Sequence, residues 1–220
     1  ADDVDPGRAI ELSTGVLAGP AARTIAAAAR DYAADLVVAG ARGERDAEGG
    51  RVLGGTADKL LSMADAPLLL VRRAREEPAT SVVAAVDLSP RSLSVLEWAD
   101  CAAAARQLHA YHAFDVPFTA RLRAYGLDDS AIDVYREQAR SQRDASLASL
   151  VTSIARTGAT SRVVERGDPA VLLQRYIEAV RPSLVVLGKH VKDARSTPAS
   201  SVGSVCRFIA GNVSADVLIV

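Results

Sequence analysis

Short aliphatic runs alternate along this chain with longer segments in which apolar and polar residues recur at helical spacing. The runs lie at 35–39, 68–71, 81–86, 108–114, 161–165, 184–187 and 217–220. A run that is apolar at nearly every position is typical of a parallel strand covered on both faces. Strands that alternate with helices form βαβ units. The pattern therefore predicts an α/β protein with a parallel sheet.

The segments between the runs predict six helices, several of which start at Gly, Pro, Ser or Thr. They cover 19–34, 56–64, 90–106, 128–157, 169 onward and 204–213. Asp129 and Ser130 are candidate N-caps of the fourth helix. One more strand is predicted over 9–16, where Thr and Ser stand between apolar residues. Residues 72–80, with their charges and a proline, predict a linker.

An internal repeat is the most informative feature. In each copy an aliphatic run ends in glycine, at Gly40 and at Gly188 (188 − 40 = 148). A polar loop then leads to Gly55-Thr56 or to Gly203-Ser204, at the same offset (203 − 55 = 148). A helix and a terminal aliphatic strand follow in both copies. The repeat predicts two domains of one fold, over 1–74 and 81–220.

The second copy extends further upstream than the first. The strand that begins at Ser81, and the elements after it, have no counterpart before the first copy in this sequence. We therefore expect the first domain to be truncated at its N-terminus, with residues missing before or within the first few positions. The terminal runs 68–71 and 217–220 are too apolar for open sheet edges. We expect them to meet each other across a pseudo-two-fold axis, or to meet a second chain.

Composition and charge narrow the classes of function. The formal net charge is −1 and the pI about 6.4, which does not favour nucleic acid as a partner. Cys101 and Cys206 lack the spacing of a redox or zinc motif, so we expect both to be buried in a reducing compartment. No apolar run reaches the ~20 residues of a membrane span, and no signal peptide opens the sequence. These features predict a cytoplasmic protein without a membrane or nucleic-acid partner.

Candidate binding residues stand where ligands of parallel sheets bind, at the carboxyl ends of strands. Asp87 and Ser89 follow the strand at 81–86, and the carboxylate is suited to accept hydrogen bonds from an adenine amino group or a ribose hydroxyl. Gly188 ends another strand. Gly203-Ser204 begins a helix, whose N–H groups and dipole favour a phosphate. The candidates in the first copy are Gly40, Gly43, Gly55 and Thr56.

Each candidate also has a structural interpretation. Asp87 would otherwise cap the following helix, and Ser204 and Thr56 would be N-caps. His109 and His112 lie three apart on a strand and thus on opposite faces, which argues against joint metal ligation. His112 either lines the pocket or has a structural role. The charged loop residues either face a phosphate or are solvated: Lys189, His190, Lys192 and Arg195. No Walker A lysine, nucleophile elbow or metal cluster is visible, so no catalytic residue is assigned.

At these residues the chain resembles the tandem-domain members of the universal stress protein family. Nucleotide-binding members carry a loop of Gly, two residues, Gly, nine residues, Gly, and Ser or Thr. The first copy has Gly40-Ala41-Arg42-Gly43 and then Gly55-Thr56, and the second has Gly188-Lys189-His190 and then Gly203-Ser204. Residues 85–92, Trp98-Ala99, the helix start Gly167-Asp168-Pro169 and both terminal strands also fit.

The resemblance implies two flavodoxin-like, adenine nucleotide α-hydrolase-like domains with doubly wound parallel sheets, paired as an intramolecular pseudo-dimer and able to form a homodimer. It implies ATP or AMP as ligand, no metal beyond a nucleotide-bound Mg²⁺, and a stress-response and nucleotide-sensing role. Some family members bind ATP and others do not. Two features depart from the binding pattern: eleven residues replace nine in both loops, and Val191 stands where the second glycine belongs. A weak ATPase or nucleotide-transfer enzyme and a non-nucleotide protein-interaction module are the alternatives.

Overall fold

The computed structural model describes residues 11–43, 53–72, 81–115, 126, 128–154, 158–189 and 202–220. Its strands within these residues are β1 (Val37–Gly40), β2 (Leu68–Val71), β3 (Ser81–Ala85), β4 (Gln107–Phe114), β5 (Thr160–Arg166), β6 (Leu184–Leu187) and β7 (Asp216–Ile219). They form one sheet in the order β1-β2-β7-β6-β3-β4-β5. All neighbours are parallel except β2 and β7, which are antiparallel. The predicted parallel α/β architecture is confirmed.

The helices of the described residues cover both faces of the second half of the sheet. They are α1 (Ala21–Asp31), α2 (Gly55–Met63), α3 (Ser92–Ala103), α4 (Asp129–Ser153), α5 (Pro169–Val180) and α6 (Ser204–Asn212). Helices α1, α2, α5 and α6 share one continuous apolar cluster on one face. Helices α3 and α4 pack on the other face, around Leu96 and Leu147. None of these helices is both long and apolar enough to cross a membrane.

The two halves meet at the antiparallel pair β2 and β7. The paired residues are Leu68 with Ile219, Leu69 with Leu218, and Leu70 with Val217. The prediction that the two terminal runs meet each other is therefore confirmed. In this arrangement each strand covers the edge of the other, so that neither apolar run is left as an open template for another chain.

Backbone conformation shows that the repeat extends upstream of Gly40. Gly19 and Gly167 (167 − 19 = 148) have φ of 136° and 143°, and they precede α1 and α5. Ala33 and Arg181, at the same offset, have φ of 48° and 51° after these helices. Residues other than glycine rarely adopt this left-handed conformation. Its recurrence at equivalent helix ends identifies one structural unit that is present twice.

The offset between the copies changes by one residue in the following loop. Helices α2 and α6 are preceded by Gly54 and Gly203 (203 − 54 = 149), with φ and ψ of −64°, 147° and −61°, 150°. Their buried positions share the new offset: Ala57, Leu60 and Leu61 in α2, and Cys206, Ile209 and Ala210 in α6. The predicted match of Gly55-Thr56 with Gly203-Ser204 is therefore wrong. Gly54 and Gly55 occupy those positions, because the first loop is one residue shorter.

The pairing at β2 and β7 follows a local two-fold axis. Leu69 and Leu218 are equivalent at the 149-residue offset (218 − 69 = 149) and pair with each other. Asp58 and Arg207 are also equivalent (207 − 58 = 149), and the Arg207 guanidinium donates to the Asp58 carboxylate. Arg207 also donates to the Ser62 hydroxyl at 2.9 Å. Equivalent residues that touch must lie beside the axis, so these two pairs locate it.

Basic side chains also reach from each half to the last helix of the other. Lys189 Nζ donates at 2.6 Å to the carbonyl of Ala64, the C-cap of α2. Arg72 Nη2 donates to the carbonyl of Ala210 in the last turn of α6. The C-terminal turn of a helix has unpaired carbonyls and a partial negative charge, so a cation stabilises it. The two contacts join the halves at both ends of the seam.

Three local predictions are wrong. Residues 11–16 form no strand: Leu12 is 84% exposed, and no neighbouring strand in the described residues supplies hydrogen-bond partners. Cys101 is exposed because it lies on the solvent side of α3, whereas Cys206 is buried. Asp128, rather than Asp129 or Ser130, caps α4 by accepting from the Ala131 N–H at 2.8 Å.

Substitutions at two positions of α6 should separate the contribution of core packing to stability from that of charge. Ile209 has no exposed surface, so we expect Ile209→Ala to lower the free energy of unfolding by about 2–5 kcal/mol. Arg207 is 45% exposed, so Arg207→Ala should cost about 1 kcal/mol or less. Urea denaturation of both variants measures the difference. Equal losses would contradict the view that apolar packing dominates at the seam.

Candidate functional site

The carboxyl ends of β3 and β6 and the start of α6 surround a cavity of about 460 Å³. All five candidates of the second half line it: Asp87, Ser89, Gly188, Gly203 and Ser204. Side chains of α3, β4, α5 and α6 complete the lining, namely Ser92, Val95, Tyr111, His112, Pro169, Leu173, Val205 and Cys206. Arg91, which precedes α3, and Lys189, which follows β6, also line it. The fold therefore brings together residues that lie more than a hundred positions apart in the sequence.

Asp87 is fixed by the turn between β3 and α3. Its Oδ1 accepts from the Ser89 N–H at 2.9 Å and from the Ser92 hydroxyl at 3.1 Å. Leu88 between them has φ of 62°, and this left-handed residue allows the chain to fold back on the carboxylate. Burial opposes ionisation, but the hydrogen bonds from Ser89 and Ser92 outweigh it and lower the pKa of Asp87. The cavity thus has a charged acceptor at this wall, and the same group stabilises the turn.

Gly188 lies in close contact with α3. It follows β6, and a Cβ at this position would lie 3.3 Å from Cγ2 of Val95 in α3. A side chain here would therefore require Val95 or the strand to shift by a few tenths of an ångström. The glycine lets strand and helix approach each other closely beside the site.

The start of α6 presents backbone donors to the cavity. Gly203 is the N-cap residue and Ser204 the first helical residue, and no side chain caps this end. The interpretation of Ser204 as an N-cap is therefore wrong. The first turn contains no acidic residue, so the partial positive charge of the helix is not offset by a carboxylate of its own. Backbone N–H groups, a hydroxyl and the helix dipole together suit an anionic group.

His112 lines the cavity, a position that the sequence left open beside a purely structural role. Its Nδ1–H donates to the Val86 carbonyl at 2.9 Å, and its Nε2 is buried and finds no hydrogen-bond partner among the residues that the structure describes. Burial lowers the pKa of His112, and the positive charge of Arg143 lowers it further. The hydrogen bond to Val86 and the charge of Asp87 raise it, but they do not offset these effects. The ring is therefore neutral at pH 7, with Nε2 as an acceptor.

Tyr111 forms part of the opposite wall. Its hydroxyl donates to Glu165 at 2.7 Å, and Arg175 binds the other oxygen of the same carboxylate at 2.9 Å. Its ring lies 4.8 Å from the ring of Tyr176 in α5. Burial and the Glu165 hydrogen bond raise the pKa of Tyr111, so it stays a neutral phenol. These contacts hold the wall in one position, and no sequence pattern indicated them.

Two cationic side chains beside the cavity, Lys189 and Arg91, donate hydrogen bonds to backbone carbonyls. Lys189 turns its Nζ to Ala64 of the other half, so it does not extend into solvent as a loop residue would. Burial lowers the pKa of Lys189, while Asp65 acts in the opposite direction. Arg91 Nη1 donates to the Lys189 carbonyl at 3.2 Å. Arg91 was not among the site residues predicted from the sequence, although it lies just before α3 and close to Asp87 in the chain.

The cavity holds no activated nucleophile among the described residues. Cys206 is 4% exposed, and burial raises the pKa of its thiol to about 12, so the thiolate that would be needed for attack is not formed at neutral pH. Side chains of His, Cys, Asp and Glu form no metal-binding cluster within the described segments.

The candidates of the first half lie at the opposite end of the sheet. Gly40 ends β1, and Gly43 lies beside Gly54, where an added Cβ would be 3.2 Å from the Gly43 nitrogen. Gly55 is the first residue of α2 and Thr56 the second, so Thr56 is not an N-cap. In the described residues, no strand covers the outer edge of β1 as β3 covers that of β6. The structure thus places Gly43 beside the start of α2, and the described residues of this half supply no wall equivalent to β3.

Four loop residues cannot be compared with the cavity. His190, Val191, Lys192 and Arg195 lie outside the described residues, which resume at 202.

Comparisons with known proteins agree with this architecture. A protein of unknown function from Pseudomonas aeruginosa PAO1 has 20% identity and a TM-score of 0.67, over 92% of this chain and 68% of that one. A universal stress protein from Archaeoglobus fulgidus DSM 4304 has 17% identity and a TM-score of 0.60, over 90% of this chain and 65% of that one. No curated protein matches. The universal stress protein family model matches residues 3–72 and again 79–220, and the chain therefore belongs to the universal stress protein family.

Proposed function

We propose that the second half binds an adenine nucleotide in the cavity beside Asp87 and that the chain acts as a nucleotide-sensing module of the stress response. The observation that carries the proposal is the convergence of Asp87, Gly188 and the start of α6 on one cavity. Its volume of about 460 Å³ lies within the range of small-ligand sites, about 300–1,000 Å³. The cytoplasmic location, the homodimer and the domain limits 1–74 and 81–220 remain predictions.

The cavity is chemically divided in a way that fits a nucleotide. The Asp87 carboxylate and His112 Nε2 are acceptors at the cavity, suited to an adenine amino group or to ribose hydroxyls. Gly203-Ser204, Lys189 and Arg91 supply donors and positive charge, suited to phosphate. Val95 and Leu173 provide the apolar surface that a base needs. No protein side chain is assigned to bind a metal ion.

We expect Val191 to limit the number of phosphates on the nucleotide that the cavity can bind. A β-branched residue resists the positive φ that glycine allows, and its side chain hinders close approach of backbone to phosphate. We therefore expect adenosine or AMP to bind comparably to ATP or better, and Val191→Gly to improve ATP affinity. Titration calorimetry measures each affinity. Tight ATP binding that is indifferent to Val191→Gly would contradict this expectation.

Substitutions at Asp87 should separate ligand binding from the turn. Asp87→Ala removes both carboxylate oxygens and should weaken the binding of adenine ligands by roughly 1–3 kcal/mol. Asp87→Asn keeps an Oδ1 that can accept from Ser89 and Ser92, so it should preserve stability while ligand affinity falls. Asp35→Asn, at an exposed position outside the cavity, is the charge-matched control.

Calorimetry with AMP, urea denaturation and mass spectrometry of small molecules released from the purified protein test the proposal. An unchanged AMP affinity in Asp87→Ala would refute the assigned role. Sustained phosphate release that disappears with the same substitution would instead favour the weak ATPase. Absence of any adenine-nucleotide signal would favour the protein-interaction module.

The neutral state of His112 should make stability depend on pH. The pKa of His112 is lowered in the folded chain, as is that of His109, so below the ordinary value of about 6.5 the unfolded chain binds more protons. Stability should be fully present above pH 6.5 and should fall as the pH decreases toward the folded pKa. His112→Asn retains a donor for the Val86 carbonyl and does not titrate. Urea denaturation at pH 7 and pH 5 should show a smaller loss in this variant; an equal loss would contradict the assignment.

A further inference from the structure

One residue of the cavity wall also contacts the other half of the chain. Lys189 lines the cavity, as do Gly203 and Ser204, and its Nζ donates at 2.6 Å to the carbonyl of Ala64. Ala64 is the buried C-cap residue of α2 in the first half. A single ammonium group therefore belongs both to the second-half cavity and to the contact between the halves.

The backbone at Lys189 is held in place, whereas its side chain can turn. The Lys189 N–H donates to the carbonyl of Val220, directly after β7, at 2.6 Å, and its carbonyl accepts from Arg91 at 3.2 Å. Strand β7 in turn pairs with β2 of the first half. The side chain has a flexible four-carbon stem and three N–H donors at its end. The ammonium group can thus change its partner without a change in the strands.

Electrostatic effects connect the ammonium group to both sides of the seam. Burial lowers the pKa of Lys189, and the carboxylate of Asp65, the neighbour of Ala64, acts in the opposite direction. Burial raises the pKa of the Cys206 thiol, and the positive charge of Lys189 lowers it. Cys206 lies in the first turn of α6. The ammonium group is therefore within electrostatic reach of both the end of α2 and the start of α6.

A phosphate at the start of α6 would compete with the first half for this ammonium group. A phosphate oxygen carries negative charge, whereas the Ala64 carbonyl is neutral, so the phosphate attracts the ammonium group more strongly. The end of α2 opposes the exchange, because its C-terminal carbonyls lose a cation. The two contacts are alternatives, and their free energies are coupled.

We propose that Lys189 is a phosphate-responsive link between the two halves. Its ammonium group binds either the Ala64 carbonyl or the phosphate of a nucleotide in the second-half cavity. Asp65 is a positioning residue that acts through Lys189 and favours the first-half contact. The inference rests on the proposed function, because it requires a nucleotide in the cavity. Under this proposal AMP releases the end of α2 from Lys189, whereas adenosine, which has no phosphate, leaves the contact in place.

Two measurements test the link, namely calorimetric titration with adenosine and AMP, and the amide NMR resonance of Asp65. The Asp65 N–H belongs to the same peptide group as the Ala64 carbonyl, so its resonance reports the hydrogen bond from Lys189. The variants are Lys189→Gln, Asp65→Asn and their combination. Asp35→Asn, at an exposed position of the same half, is the control for a general effect of charge.

The substitution at Asp65 should leave the fold intact. Its carboxylate pairs with Arg30 at 3.4 Å, but the two side chains are 71% and 60% exposed, so the loss of this pair should cost little stability. Asp65→Asn therefore keeps the proposal testable even where Lys189→Gln disturbs the seam.

AMP should shift the Asp65 resonance of the unmodified protein more than adenosine does, and this difference should be absent in Lys189→Gln. Lys189→Gln should also weaken the binding of AMP about tenfold more than that of adenosine, since it removes a charged donor. Asp65→Asn should strengthen AMP binding about twofold to fivefold. This gain should disappear when Lys189→Gln is also present, because Asp65 acts through the ammonium group. Asp35→Asn should bind AMP like the unmodified protein.

Three results would overturn the link while AMP still binds. The first is an Asp65 resonance that responds equally to AMP and adenosine, and the second is an AMP affinity that does not change in Asp65→Asn. The third is a gain from Asp65→Asn that persists without Lys189, which would show direct repulsion between Asp65 and the phosphate. If neither adenosine nor AMP binds, the proposed function itself fails and the link fails with it, so the two failures can be distinguished.

Discussion

The antiparallel pairing of β2 with β7 is the constraint on which the rest of the structure depends. Two sets of parallel strands, each with an apolar outer strand, become one sheet only because these strands hydrogen-bond to each other. The pairing places α2 beside α6 and makes one apolar cluster of the four helices on that face. A change of register by one residue would turn Leu69 and Leu218 to the opposite face and disrupt both layers.

The same pairing determines where ligands can bind. Since the two halves run in opposite directions at the seam, the carboxyl ends of their strands lie at opposite ends of the sheet. The cavity around Asp87 therefore lies at one end of the sheet, and the first-half candidates Gly40 and Gly55 lie at the other. At each end a basic side chain crosses the seam to the last helix of the other half. Each binding edge is thus built partly on contacts with its neighbour.

The sequence was sufficient for the fold because parallel strands covered on both faces are apolar throughout, as in β6, and few other structures produce such runs. It also predicted five of the residues that line the cavity, since their positions at strand and helix ends follow from topology. It did not reveal the direction of Lys189, the walls made by Tyr111 and His112, or the one-residue shift of the offset. Those depend on side-chain contacts across distant segments, which no local pattern encodes.

The pair of Asp58 and Arg207 has a consequence for assembly. Because the two positions are equivalent and adjoin the axis, two identical first halves joined in the same way would set Asp58 against Asp58, and two second halves would set arginine against arginine. Joining unlike halves in one polypeptide removes this conflict and frees each position to change independently. The contact at the axis is therefore directional, with a carboxylate on one half facing a guanidinium on the other.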